Sequence, residues 1–275
     1  MTSGAPAAVQ PLPRGGLGRV VGRRLTNWAP AVVVLIATLA IWQEAIDLFH
    51  IKKFLLPQPW TIATTFWDER RELLSAGWLT FQEAFGGFAI GCGVAILVAL
   101  ALARWRRVGE ALMPYAIAAN AVPIIAFAPI ADAWFSPFSK SSKMAIAAVL
   151  CFFPVLVNAL RGLTSVRPQD IELMHSYAAG QTEIFRRVRI PTALPFIFAG
   201  LKVATVLAMI GAVVGEYFGG ALNAMGVLIL TRSRLFHFNE AWAGVLTVCL
   251  FGLALYIAVA MVERLSLRWV PSTSE

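Results

Sequence analysis

Apolar runs long enough to cross a lipid bilayer recur along this chain, and no other feature constrains its fold as tightly. They cover about residues 28–49, 81–103, 111–135, 144–160, 194–218 and 241–262. No water reaches backbone N–H and C=O groups inside a bilayer, so each run must satisfy its own hydrogen bonds as a helix. The expectation is an all-α polytopic membrane protein with six transmembrane helices. Of 275 residues 59% are hydrophobic and 14% charged, a balance outside the range of soluble domains. The net charge of +8 could point to nucleic acid. The basic residues, however, sit in short connections between apolar runs, as membrane orientation requires, so a nucleic-acid partner is not expected. With both termini inside, the inner connections carry the larger share of the 23 Lys and Arg residues. The termini are therefore expected to be cytoplasmic.

Residues 1–27, rich in Gly, Pro, Ala and Arg, read as a disordered cytoplasmic tail, 28–269 as the membrane domain and 270–275 as a short tail. The run at 28–49 is too long for a signal peptide and reads as a retained first span. Residues 61–74 suggest a short amphipathic helix on the membrane surface. Gly87 and Gly91, four apart in the second span, would let a neighbouring helix approach closely. The third run carries Pro114, Pro123 and Pro129 with Asn120 and Asp132. A helix broken so often is tolerated only against protein or a water-filled cavity, which makes this run a candidate pathway element. Asn158 and Glu216, in the fourth and fifth spans, join Asn120, Pro123 and Asp132 as candidate pathway residues. For Asp132 and Glu216 the competing expectation is a solvated or paired carboxylate with no substrate contact. Lys202 reads as an anchor. The apolar patch 225–230 is too short to cross. Cys92, Cys151 and Cys249 lie in apolar runs without metal-ligand spacing and read as buried hydrophobes.

The polar interval 165–195, which takes in nearly all of a cytoplasmic coupling loop spanning 164–193, organises the rest. Pro168 followed by Asp170 and Glu172 is suited to opening a helix. Met174, Tyr177, Ala178, Phe185 and Val188 share a helical stripe interrupted by Gly180. Gly180 can end a first short helix and Thr182 can cap a second, which Pro191 would limit. Arg186, Arg187 and Arg189 are expected on the solvated side. Such a surface is built to dock, either onto a protein or onto lipid headgroups.

Motifs for chemistry are missing. The sequence has no G-x-x-x-x-G-K-[S/T], no H-E-x-x-H and no G-x-S-x-G, and its three histidines are far apart. No cofactor, metal or catalytic residue is expected. Active transport would need a separate ATPase or a coupling ion; an ion-coupled secondary transporter is the alternative reading, though no inverted repeat is visible.

The interval resembles the EAA loop of ABC importer permeases, whose pattern is E-A-A, three residues, Gly, nine residues, Ile, one residue, Leu-Pro. In this register Glu172, Leu173 and Met174 stand for E-A-A, Ala178 for the glycine, Val188 for the isoleucine and Ile190-Pro191 for Leu-Pro. The segments 123–135, 152–163, 194–204, 210–220 and 263–269 resemble the nitrate/taurine/sulfonate group of these permeases. L-M-H-S-Y-A-A followed by I-F-R-R-V-R-I-P is similar to the pyrimidine-precursor and riboflavin branch. The resemblance implies a type I ABC importer permease fold in a bacterial inner membrane, with ATP-binding cassette ATPases, a substrate-binding protein and a second permease subunit as partners. It also implies that Glu172, Leu173, Met174, Tyr177, Ala178, Gly180, Ile184, Phe185 and Pro191 form the coupling helix region that meets the ATPase. The implied cargo is a small organic solute such as a thiamine pyrimidine precursor, riboflavin, a sulfonate, taurine or nitrate.

Overall fold

A computed structural model describes residues 17–50, 52, 56–119 and 123–267. Helices follow one another throughout, and no strand occurs among the described residues. In the amino-terminal unit, α1 (Leu17–Leu48) begins within the stretch expected to be a tail. The first span is thus the later part of a helix that already runs through Arg19, Arg23 and Arg24. Residues 1–16 and 268–275, including the expected short tail at 270–275, lie outside the described residues.

The second unit holds the remaining helices. α2 (Pro59–Asp68) is shorter than the expected surface helix, because the chain breaks at Glu69 and the next residues join α3 (Arg70–Arg104). The third apolar run is two helices, α4 (Arg106–Ala119) and α5 (Ile124–Phe135). Pro123, in an extended conformation, opens α5; Asn120 lies outside the described residues. α6 (Lys140–Thr164) follows, then three short pieces: α7 (Pro168–Ser176), α8 (Gln181–Ile184) and a π turn (Phe185–Arg189). The π turn feeds directly into α9 (Ile190–Gly219), after which α10 (Met225–Arg234) and α11 (Phe238–Ser266) close the chain. Four described helical stretches are long and apolar enough to cross a membrane: α3, α6, the run Gln181–Gly219 and α11. They match the expected second, fourth, fifth and sixth spans.

α6 is the central post, packed along α3 on one side and α9 on the other. The contact surfaces are lined with small residues, Ala84, Ala95 and Ala99 from α3, Ala159 from α6, and Ala204, Ala208 and Ala212 from α9, all fully buried. Lipid tails are as apolar as leucine, so association inside a bilayer depends on close backbone approach rather than on escape from water. Gly87 and Gly91 meet this requirement at the expected place. A Cβ on Gly87 would overlap Ala147, and one on Gly91 would overlap the backbone of Ala148, both on α6.

Candidate functional site

The turn out of α6 is fastened locally. Ser165 donates its hydroxyl to the Gly162 carbonyl at 2.9 Å. Arg167 is extended, as a residue preceding proline should be, and Pro168 opens α7. Asp170, in the first turn, pairs with Arg167 at 2.9 Å. No residue of α7 is buried. Leu173 and Tyr177 are 56% and 75% exposed, and Glu172 stands in solvent beside them. An isolated nine-residue helix gains little from its own backbone, so an unpacked helix with outward apolar side chains is built to meet something else.

α7 ends in a Schellman motif: the Ala179 N–H donates to the Met174 carbonyl at 3.0 Å and the Ala178 N–H to His175 at 2.9 Å. The left-handed residue is Ala178, with φ of 55°. Gly180 was expected to end this helix; it instead precedes α8 with φ of −71° and makes no side-chain cap, and Thr182 lies inside the new helix rather than capping it. Pro191 does not limit that helix either. The π turn ahead of it lets the Ile190 N–H reach back to the Phe185 carbonyl, and this wider turn accommodates the proline ring near the carbonyl four residues earlier. The helical run from Gln181 to Gly219 is therefore continuous over 39 residues.

The nine residues that the EAA resemblance assigns to the coupling region divide into two groups. Glu172, Leu173, Tyr177, Ala178 and Gly180 face solvent and Met174 is half-buried, whereas Ile184 is buried and Phe185 and Pro191 are half-buried. Phe185 packs against the α3–α6–α9 core. Arg186 and Arg187 are solvated as expected. Arg189 is not: it is half-buried and donates to the Ala103 carbonyl at 3.4 Å.

The candidate pathway residues do not converge on one point. Asp132, on α5, pairs with Lys143 of α6 at 3.0 Å and accepts from Ser142, while Lys143 also donates to the Pro137 carbonyl. Asp132 nonetheless borders a recess of about 530 Å³ with Pro129, Ser136 and Phe218. Glu216 is buried among α3, α9 and α10. It accepts from the Thr80 hydroxyl at 2.6 Å and from the Gly226 N–H near the start of α10, and Thr80 accepts from the Met225 N–H at 3.1 Å. Asn158 donates to the Pro154 carbonyl, bonding its own helix across the proline. Pro123 is exposed. Lys202 anchors α9 to α11 through Glu263 at 2.8 Å. Cys92 and Cys151 are buried as expected; Cys249 is exposed and borders an apolar groove of about 540 Å³ between α9 and α11, together with Met209, Tyr217 and Tyr256.

Sequence reasoning missed Lys143, Ser142, Thr80 and Glu83, all buried. Lys143 stands one residue ahead of the fourth apolar run at 144–160, where a lysine reads as part of the connection. Ser139 carried the missing signal: its Oγ accepts from the Ser141 N–H and caps a helix that begins at Lys140.

Long apolar helices on small-residue seams, with an outward-facing short helix ahead of a continuous helical stalk (Gln181–Gly219), define a multispan membrane protein. The chain belongs to the family of binding-protein-dependent transport system inner membrane components, matched over residues 91–268. It is 33% identical over 246 residues, 87% of this chain and 90% of the relative, to the riboflavin transport system permease protein RibX of Chloroflexus aurantiacus. It is 31% identical over 232 residues, 84% of this chain and 92% of the relative, to the formylaminopyrimidine transport permease protein ThiX of Halalkalibacterium halodurans. To the putative aliphatic sulfonates transport permease protein SsuC of Bacillus subtilis it is 27% identical over 254 residues, 90% of each chain. The chain is thus an ABC importer permease, a transport subunit that is not itself an enzyme.

Proposed function

We propose that this permease carries a flat heteroaromatic solute, of the riboflavin or thiamine-pyrimidine kind, inward across a bacterial cytoplasmic membrane. It works as a homodimer surrounded by membrane lipid, with both termini cytoplasmic. Each copy seats α7 on an ATP-binding cassette ATPase, and a periplasmic or lipid-anchored binding protein delivers the solute to the opposite face. The cargo reading is supported by the two relatives above 30% identity, whose names specify riboflavin and formylaminopyrimidine.

The observation that carries the coupling reading is α7 itself, unburied, with Leu173 and Tyr177 outward and a continuous helical run just beyond it. When ATP draws the ATPases together, α7 moves with them. A stalk without a break passes that displacement into the fifth span, where a slack loop would absorb it. Asp132, at the edge of its recess, and the junction at Asn120 and Pro123 are the residues we place on the solute path. Glu216 and Asn158, whose hydrogen bonds are internal, hold its walls.

The test is co-purification of an ATPase with the full chain from membranes, wild type beside Leu173→Asp with Tyr177→Ala. The ATPase should accompany the wild type and be lost from a well-folded variant; equal retention by both would place the contact elsewhere. Labelled riboflavin and formylaminopyrimidine uptake, each challenged with unlabelled taurine, tests the cargo. Uptake of labelled taurine without uptake of either aromatic solute would replace the heteroaromatic reading with a sulfonate one.

A further inference from the structure

Where the end of α3 meets the start of the helical run from Gln181, the surface is indented by an open cleft of about 260 Å³. Its apolar floor is Leu100 and Phe185, and its polar lining is Arg104, Gln181, Thr182 and Arg189. No carboxylate contributes to the lining. Three other described arginines pair with acids, Arg167 with Asp170, Arg187 with Glu183, and Arg232 with Glu72 and Glu240, while Arg161 and Arg186 stand in open solvent. Arg104 and Arg189 border one small cleft with no such partner. Arg189 gives one donor to the Ala103 carbonyl, and a guanidinium has five.

Two like charges on one cleft repel, and the half-buried Arg189 keeps donors without protein acceptors, which costs stability. An anion relieves both. Paired guanidiniums suit a tetrahedral oxyanion, whose oxygens accept forked hydrogen bonds, and Thr182 and Gln181 add neutral donors to the same space. The cleft also lies at the end of a span, where the apolar run of α3 gives way to Arg104. We infer that this cleft binds a phosphate group, supplied either by the headgroup of an anionic lipid or by free inorganic phosphate. Bound there, the anion staples the end of α3 to the base of the stalk. This goes beyond the ATPase contact, since none of the polar lining residues is on the outward face of α7.

The test uses the full chain in nanodiscs of phosphatidylcholine, with or without phosphatidylglycerol. Native mass spectrometry reads retained phosphatidylglycerol, and in pure phosphatidylcholine a titration with inorganic phosphate reads the thermal unfolding temperature. The variants are Arg104→Gln and the double variant with Arg189→Gln. Arg161→Gln, at an exposed arginine in the last turn of α6 outside the cleft, is the control for general surface charge. Wild type and Arg161→Gln should retain phosphatidylglycerol, and the double variant should lose about tenfold in retention. Should inorganic phosphate instead raise the unfolding temperature of the wild type but not of the double variant, free phosphate is the ligand. Arg104→Gln alone, at an exposed side chain, should weaken whichever probe binds and stands in if the double variant does not fold. If neither probe distinguishes wild type from folded cleft variants, or Arg161→Gln loses as much as they do, there is no such site.

Discussion

Ala178 holds the left-handed position of the turn after α7, and Gly180, two residues later, does not. The former has φ of 55° and the latter −71°, with open space where a Cβ on Gly180 would stand. In the EAA register proposed from the sequence, Ala178 is also the residue that stands for the glycine of the pattern.

A left-handed alanine carries strain of about 1–2 kcal/mol, partly offset because glycine loses more entropy on folding. Ala178→Gly should therefore stabilise by about 0.5–1 kcal/mol, whereas Gly180→Ala should be neutral or slightly stabilising. Thermal unfolding in detergent reads both. Destabilisation by Ala178→Gly would mean that the bend is not where the Schellman hydrogen bonds place it.

The buried ion pair makes a sharper claim. Lys143 is inaccessible and Asp132 nearly so, and removing one partner strands the other; Asp132→Asn or Lys143→Met alone should cost about 3–5 kcal/mol. The double variant should cost less than the sum of the singles, as a double-mutant cycle in denaturant titrations would show. Asp132→Asn should also lower uptake by the folded fraction, since Asp132 edges the recess placed on the solute path; lost uptake with unchanged stability would mean that the ion pair does not hold the fold.

At the α3–α6 seam, Gly91→Ala should cost about 1–3 kcal/mol, because the new methyl meets the Ala148 backbone, which cannot swing aside as a side chain can. Gly93→Ala, on the same helix with nothing in reach, should gain about 0.5–1 kcal/mol from helix propensity. Equal effects at the two positions would remove the case for a close seam.

These contrasts show what the sequence made legible. Apolar runs located four of the long helices, and the small residues of the second span foretold its close approach to a neighbour. Pro168 and Asp170 marked the start of α7. The errors came where a local signal had two physical outcomes. Pro191 can end a helix or sit behind a π turn, and nothing in the neighbouring sequence separates the two. Gly180 looked like the helix stop because glycine is the usual left-handed residue, but a Schellman turn had formed two residues earlier on alanine. Lys143 looked like a loop charge, since nothing adjacent in sequence announced Asp132 on another helix as its partner.

Glu69 carries a pH dependence. Burial, then the neighbouring Glu240, and to a smaller extent Glu72 and Asp68, raise its carboxyl above the ordinary value, while Arg232 opposes them. The folded protein therefore holds this proton more tightly than the unfolded chain does. Stability falls as pH rises from the ordinary glutamate value through the raised one, and the loss is recovered on acidification. Glu69→Gln should flatten that segment of the stability–pH curve; an unchanged slope would mean that Glu69 titrates as a solvated residue.

The two halves of the coupling region should separate experimentally. Ile184 is fully buried, whereas Leu173, eleven positions earlier, is more than half exposed. Ile184→Ala should cost about 2–5 kcal/mol by opening a cavity at the base of the stalk. Leu173→Ala should change stability by less than about 0.5 kcal/mol. Association with the ATPase should behave the opposite way, strongly reduced by Leu173→Ala and largely kept by Ile184→Ala below its unfolding temperature. With the ATPase still attached, Ile184→Ala should hydrolyse ATP with less solute moved per turnover, because the displaced helix no longer bears against the spans. ATPase assays and uptake in the same proteoliposomes give that ratio. If both substitutions reduced association and stability together, α7 and the stalk would be one cooperative surface rather than a docking head on a lever.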